Sequence, residues 1–134
     1  MSPEMPLKLP ERLEAGTLST PAIAALAKGI EAVEEIGLDN ISRYENMLAD
    51  IAHKNLASIP ECTIYAPKHR GSVISFNISG LTSERVAQML SERDICVRGG
   101  LHCAPWAHRA LGCEDGGSVR ASFSFFNTPT DVEG

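Results

Sequence analysis

The stretch Val97-Arg98-Gly99-Gly100-Leu101-His102-Cys103-Ala104-Pro105-Trp106 runs from a strand end through a glycine pair to a helix start, with a thiol between the two. Gly99 and Gly100 open backbone angles closed to other residues, so the segment reads as a loop that presents the sulfur. Pro105 suits the first position of a helix, and Trp106, Ala110 and Leu111 repeat at helical spacing until Gly112 ends the run. Cys103 then lies just ahead of a helix N-terminus, where unpaired N–H groups and the positive end of the dipole lower a thiol pKa. A nucleophilic cysteine is the functional reading. The plainer alternative is a small, buried and inert residue, the common state of a free thiol.

Alternation extends the picture to both sides of this loop. Ile95 and Val97 share one face of a short strand and Arg98 takes the other. In Ser118–Phe125, Val119, Ala121, Phe123 and Phe125 line one face, while Arg120, Ser122 and Ser124 line the opposite one. If the two strands are neighbours, Arg98 and Arg120 converge away from the core. Two solvated surface charges are the plain reading. Beside a reactive thiol they form an anion clamp, because the guanidinium fork fits a carboxylate with two parallel hydrogen bonds.

The rest of the chain supplies one core. Residues 1–18 contain Pro3, Pro6 and Pro10 with few apolar residues and read as an extended arm. Thr20 caps a helix with Pro21 at its first position, and Ile23, Leu26, Ala27, Ile30 and Val33 make its apolar stripe up to Gly37. A second helix starts at Asp39 or Asn40. It turns Ile41, Tyr44, Leu48, Ile51 and Ala52 inward and Arg43, Glu45, Asp50 and Lys54 outward, and it ends before Pro60. The period then becomes two. Cys62–Tyr65 is a strand, Pro67–Gly71 a turn, and Ser72–Ile78 a strand with Ile74, Phe76 and Ile78 on one face. Thr82 or Ser83 caps a third helix carrying Val86, Met89 and Leu90, after which Ile95–Val97 returns as a strand. The last segment, from Asn127 to Glu133, has the chemistry of a helix start.

With 134 residues, one compact domain burying about two-thirds of its unfolded surface is the expectation. A net charge of −5 and the lack of a Lys/Arg run argue against a nucleic-acid partner. No apolar run approaches the ~20 residues needed to cross a bilayer, and no signal pattern opens the chain, so the expected location is cytoplasmic. Four cysteines in a reducing compartment are expected as free thiols. A metal site from Cys96, His102, Cys103, His108 and Cys113 would lack any Cys-x-x-Cys pair, and no metal is expected.

Arg98, Gly100, His102, Cys103 and Ala104, followed by Gly117-Ser118-Val119-Arg120-Ala121-Ser122 and Asn127-Thr128, resemble the C-terminal part of cysteine desulfurases, pyridoxal-phosphate enzymes of the class V aminotransferase group. The resemblance begins at Leu13-Glu14-Ala15-Gly16-Thr17 and keeps its order to the last residues. It implies an α+β fold, the small C-terminal domain of a fold-type I pyridoxal-phosphate enzyme, with helices on one face of a short, mainly antiparallel sheet. The arm would be residues 1–18 and the domain 19–134, cut before the family's long final helix.

By the same resemblance Cys103 is the nucleophile that takes sulfur from L-cysteine as a persulfide while alanine leaves. Arg120 matches the arginine that holds the substrate carboxylate, Arg98 one lining the same pocket, and His102 a residue of the nucleophile's loop. Thr17 matches a residue that reaches the cofactor phosphate of the other subunit in a homodimer. A sulfur-acceptor protein is an implied partner, and selenocysteine is a substrate variant. The family's cofactor lysine lies before the Glu14-Ala15-Gly16-Thr17 stretch, and Lys8, Lys28, Lys54 and Lys68 are not in its motif. The chain alone is therefore expected to be inactive, the competing reading being a thiol-bearing sulfur-carrier module or an inactive fragment.

Overall fold

A computed structural model describes residues 7–14, 16–65 and 71–133, which divide into two compact units, 1–37 and 38–134. In the first unit a short 3-10 turn, Glu11–Leu13, precedes helix α1, Thr20–Ile36. Ser19, not Thr20, occupies the cap, and Pro21 falls in the first turn. The expected stripe exists but is not buried: Ile23, Leu26, Ile30 and Val33 are all exposed, Leu26 at 66%. Among the described residues of its own unit, the 3-10 turn Glu11–Leu13 is the only other element.

The second unit carries the core. Helix α2, Leu38–Ala57, is followed by β1, Cys62–Ile64, and β2, Val73–Ile78, whose antiparallel pairing sets Thr63 opposite Asn77. The expected turn at 67–71 lies almost wholly outside the described residues. Helix α3, Ser83–Ser91, comes next, then helix α4, Pro105–Leu111, strand β3, Val119–Ser122, and helix α5, Pro129–Glu133. The sheet order is β1-β2-β3, all antiparallel, with Phe76 opposite Val119 and Ser75 opposite Arg120. This is the α+β architecture expected of the sequence.

Period-two alternation decides which face is dry. Ile74, Phe76 and Val119 point to one side, where they meet Ala49 and Ala52 of α2 and Val86 of α3. Each such side chain, fully buried, contributes about 1.5–3 kcal/mol. Leu48 is also fully buried, while Ile41, Tyr44 and Ile51 are half-buried. Thr82 caps α3 by accepting from Arg85 N at 3.2 Å. Ser83 is not the cap; it is the first helical residue and is buried.

One expected strand is absent and another is shorter than its alternation suggests. Residues 95–97 form no strand, because α3 is closed by Asp94 in the left-handed region (φ 62°) with Ile95 N donating to Leu90 O at 3.0 Å. Val97 still packs inward against the core. Strand β3 stops at Ser122, since Ser124 N donates to Asn127 Oδ1 at 2.9 Å and Asn127 N to Ser124 O at 3.0 Å, which turns the chain. Phe125 consequently leaves the core and lies against Tyr44, ring centres 5.5 Å apart. Among the described residues, no helix is long and apolar enough to cross a membrane.

Candidate functional site

Arg98 and Arg120 are partners in an antiparallel bridge: Arg120 N donates to Arg98 O at 2.7 Å and Arg98 N to Arg120 O at 3.1 Å. One step further along, Gly100 N donates to Ser118 O at 3.2 Å and Ser118 N to Gly100 O at 3.1 Å. Residues 98–100 thus run as a short ladder beside β3, although the strand lies later than the 95–97 expected. Residues directly opposite in a ladder share a face. Both guanidinium stems therefore leave on the side opposite Val119, and neither arginine belongs to the core.

Close approach at this ladder demands glycine at two places. A Cβ on Gly99 would lie 2.5 Å from Ser83 O, and one on Gly117 would lie 2.1 Å from Gly100 O. Gly99 is thus required by crowding and not by a left-handed angle.

The left-handed residues are further on. His102 (φ 51°) and Cys103 (φ 58°) are two successive non-glycine residues in this region, a conformation that costs on the order of 1–3 kcal/mol each. The His102 ring holds it: Nε2 donates to Ser118 O at 2.9 Å, and Ala104 N closes the turn onto Leu101 O at 2.9 Å. That bond assigns the proton of neutral His102 to Nε2 and leaves the buried Nδ1 as an acceptor without a partner among the described residues. Burial pushes the His102 pKa down, and the guanidinium charges of Arg120 and Arg98 and the neighbouring His108 ring push it the same way, while the bond to Ser118 opposes them.

Cys103 is exposed and precedes Ala104, the cap of α4, with Pro105 in the first turn and Gly112 (φ 70°) at the other end. The apolar residues of α4 are not its buried face: Trp106 is 78% exposed, and the buried residue is His108. His108 Nδ1 meets Cys113 Sγ at 3.3 Å, and the His102 and His108 ring centres are 5.5 Å apart. Burial raises the Cys113 thiol pKa, with Glu114 adding to it, and burial alone raises that of Cys62. All four cysteines are free. Among the described residues, no three His, Cys, Asp or Glu side chains group as metal ligands.

The structure brings Arg98, Arg120, His102 and the Cys103 loop together; Thr17 lies in the other unit, exposed. Sequence reasoning missed Ser83, whose hydroxyl donates to Gly116 O at 2.6 Å and accepts from Gly100 N at 3.1 Å. Its position at a helix start masked a long-range role.

The family described as aminotransferase class V matches residues 6–134. The chain belongs to this family. It is 35% identical over 130 residues to a probable cysteine desulfurase of Synechocystis and 38% identical over 130 residues to a cysteine desulfurase of Salmonella agona, covering 94% of this chain and 30% of each relative. In structure it resembles the apo cysteine desulfurase of Thermococcus onnurineus, with a TM-score of 0.85 at 39% identity over 92% of this chain and 31% of that one. It also resembles the cysteine desulfurase CsdA of Escherichia coli, with a TM-score of 0.84 at 28% identity over 92% of this chain and 30% of that one. The chain spans about 30% of the length of the curated relatives it matches.

Proposed function

We propose that this chain is the C-terminal part of a cysteine desulfurase, an arm at 1–18 and a small domain at 19–134, and that it supplies the sulfur-accepting thiol and the substrate-carboxylate clamp. The observation that carries the reading is the Arg98–Arg120 bridge next to the strained His102–Cys103 turn. Two forks on one side of a ladder can hold the carboxylate of L-cysteine with charge-assisted bonds. The exposed Cys103 sulfur is then free to receive the substrate's sulfur as a persulfide and to pass it to an acceptor protein. His102, neutral and anchored through Nε2, keeps the turn in place.

Pyridoxal phosphate is the family's cofactor, and this chain's residues do not fit as its complete holder. A Schiff-base lysine must be activated by burial or by neighbouring cationic charge. Lys28 is 79% exposed and paired with Glu31, and Lys8 and Lys54 are exposed. Lys68 is outside the described residues. Thr17 is proposed to reach the cofactor phosphate of the other subunit in a homodimer, and the lysine to come from the remainder of the enzyme. Selenocysteine as the sulfur-analogue substrate fits the same clamp.

Co-expression with a chain carrying the family's large domain tests this. Cysteine should then yield alanine and a persulfide on Cys103, and Cys103→Ala should abolish the persulfide. Unchanged alanine release and an undiminished persulfide in Cys103→Ala would overturn the reading.

A further inference from the structure

Ser83 is 4% exposed at the start of α3, where three segments meet. Its Oγ donates to Gly116 O at 2.6 Å, and Gly100 N donates to it at 3.1 Å. Glu84 Oε2 lies 3.2 Å from the same oxygen, so the one hydroxyl proton goes to the shorter contact, the Gly116 carbonyl. The backbone of Ser83 takes part as well, since its carbonyl oxygen is the atom that forbids a Cβ on Gly99. Gly100 leads directly into Leu101, His102 and Cys103, while Gly116 leads through Gly117 and Ser118 to Arg120. A single side chain therefore ties the approach to the thiol to the approach to the guanidinium.

Removing the hydroxyl affects these two ends unequally. Gly100 N keeps a second acceptor in Ser118 O, whereas no other donor to Gly116 O is recorded among the described residues. Gly116 is exposed, so without the hydroxyl its carbonyl can take water as its donor and the segment is released from Ser83. The Gly116 segment is the one that shifts, carrying Ser118 O, the anchor of the His102 ring, with it.

We infer that Ser83 is a positioning residue of the sulfur-transfer site: through its hydroxyl and carbonyl it fixes the spacing between the loop carrying Cys103 and the strand carrying Arg120. The inference rests on the reading of Cys103 and the arginine pair given above.

The experiment compares alkylation of Cys103 by iodoacetate, which carries a carboxylate, with alkylation by neutral iodoacetamide, at low salt and read by peptide mass. In the wild-type chain the iodoacetate-to-iodoacetamide rate ratio at Cys103 should exceed that of the urea-unfolded chain by about 10-fold, through attraction to the arginines. Ser83→Ala should lower that ratio at least about 3-fold, the loss of one net hydrogen bond. Ser83→Thr, which keeps the hydroxyl, should restore it. Protection of Cys62, measured in the same samples, reports whether the core is intact.

A wild-type ratio in Ser83→Ala overturns the inference. Absence of any iodoacetate preference in the wild type overturns the clamp reading instead, and amide exchange then decides for Ser83. Faster exchange at Gly100, Gly117 and Ser118 with unchanged Ile74 and Phe76 supports the positioning role; uniform acceleration or none overturns it.

Discussion

Arg98 and Arg120 hold each other by their backbones, through reciprocal bonds of 3.1 and 2.7 Å, and not by their side chains. Like charges directly opposite in a ladder repel. An anion between them would relieve that repulsion, so in the proposed clamp the ligand has a sign before it has an identity.

Arginine and lysine are not equivalent in such a site. With the large domain supplied, Arg120→Lys is expected to raise the KM for cysteine by roughly 10- to 100-fold while leaving the fold intact, because a point charge replaces a two-point contact. Steady-state kinetics alongside a thermal melt checks this. A KM within about 2-fold of wild type would remove the clamp from the proposal.

Thiol chemistry should follow exposure and burial in a fixed ranking. Cys103 is expected to react first with limiting iodoacetamide, followed by Cys96, which is also exposed. Cys62 and Cys113 should react last, since burial raises both their pKa values. Peptide mass after timed labelling gives the order. Labelling of Cys113 or Cys96 ahead of Cys103 in the folded chain would defeat the argument from loop presentation.

The pH dependence of stability has two opposite limbs. His102 has a lowered pKa in the fold, so the unfolded chain binds more protons near the ordinary histidine value; stability is full above about pH 6.5 and falls as pH drops through it. Cys62 and Cys113 have raised pKa values, so their contribution is complete below the ordinary thiol value and is lost as pH rises beyond about 8.5. Urea titrations across pH should show both limbs, and His102→Gln should flatten the acid one. An acid limb unaltered in that variant would show that another group governs it.

Two adjacent glycines should behave differently. A Cβ on Gly116 meets nothing within 4 Å, whereas one on Gly117 meets the Gly100 carbonyl oxygen at 2.1 Å, and Gly117 also has φ 65°. Gly116→Ala is expected to change stability by about 0.5 kcal/mol or less, and Gly117→Ala to cost more than ~3 kcal/mol or prevent folding. Denaturant melts of the two variants are the measurement, and equal effects would contradict the close packing of residues 100 and 117.

The chain by itself is expected to form no stable pyridoxal-phosphate adduct and to release no alanine from cysteine. Its described lysines lack the desolvation that activates an amine. Borohydride treatment with the cofactor, followed by peptide mass, should find no stoichiometric lysine product. A stoichiometric adduct on Lys8, Lys28, Lys54 or Lys68 would show that this expectation is wrong.

What could be read from residues alone was whatever repeats locally. Ile74, Phe76 and Val119 announce a dry face by alternation, Thr82 announces a helix start, and Arg98 and Arg120 announce the opposite face. Strand length was less legible, because the turn made by Ser124 and Asn127 competes with the alternation of Phe123 and Phe125 and wins through side-chain hydrogen bonds. The α1 stripe is genuine as a pattern, yet a pattern does not name the surface that covers it. The left-handed angle at Cys103 had no local signal, and at His102 the only signal was that histidine is enriched among the uncommon non-glycine residues in that region. Ser83 was hidden for a similar reason: its partners, Gly100 and Gly116, are far away in sequence and contribute only backbone.

The ladder between residues 98–100 and 118–120 pinches the intervening chain into a noose with a narrow neck. The two arginines and the ring anchor sit at the neck, whereas α4 occupies the bight. Because lengthening a closed loop changes its closure entropy only slowly, the bight can gain or lose residues with little effect on the neck. Homologous chains can therefore be remodelled around α4, altering what reaches the thiol from outside, while the distance between the two guanidinium stems stays fixed.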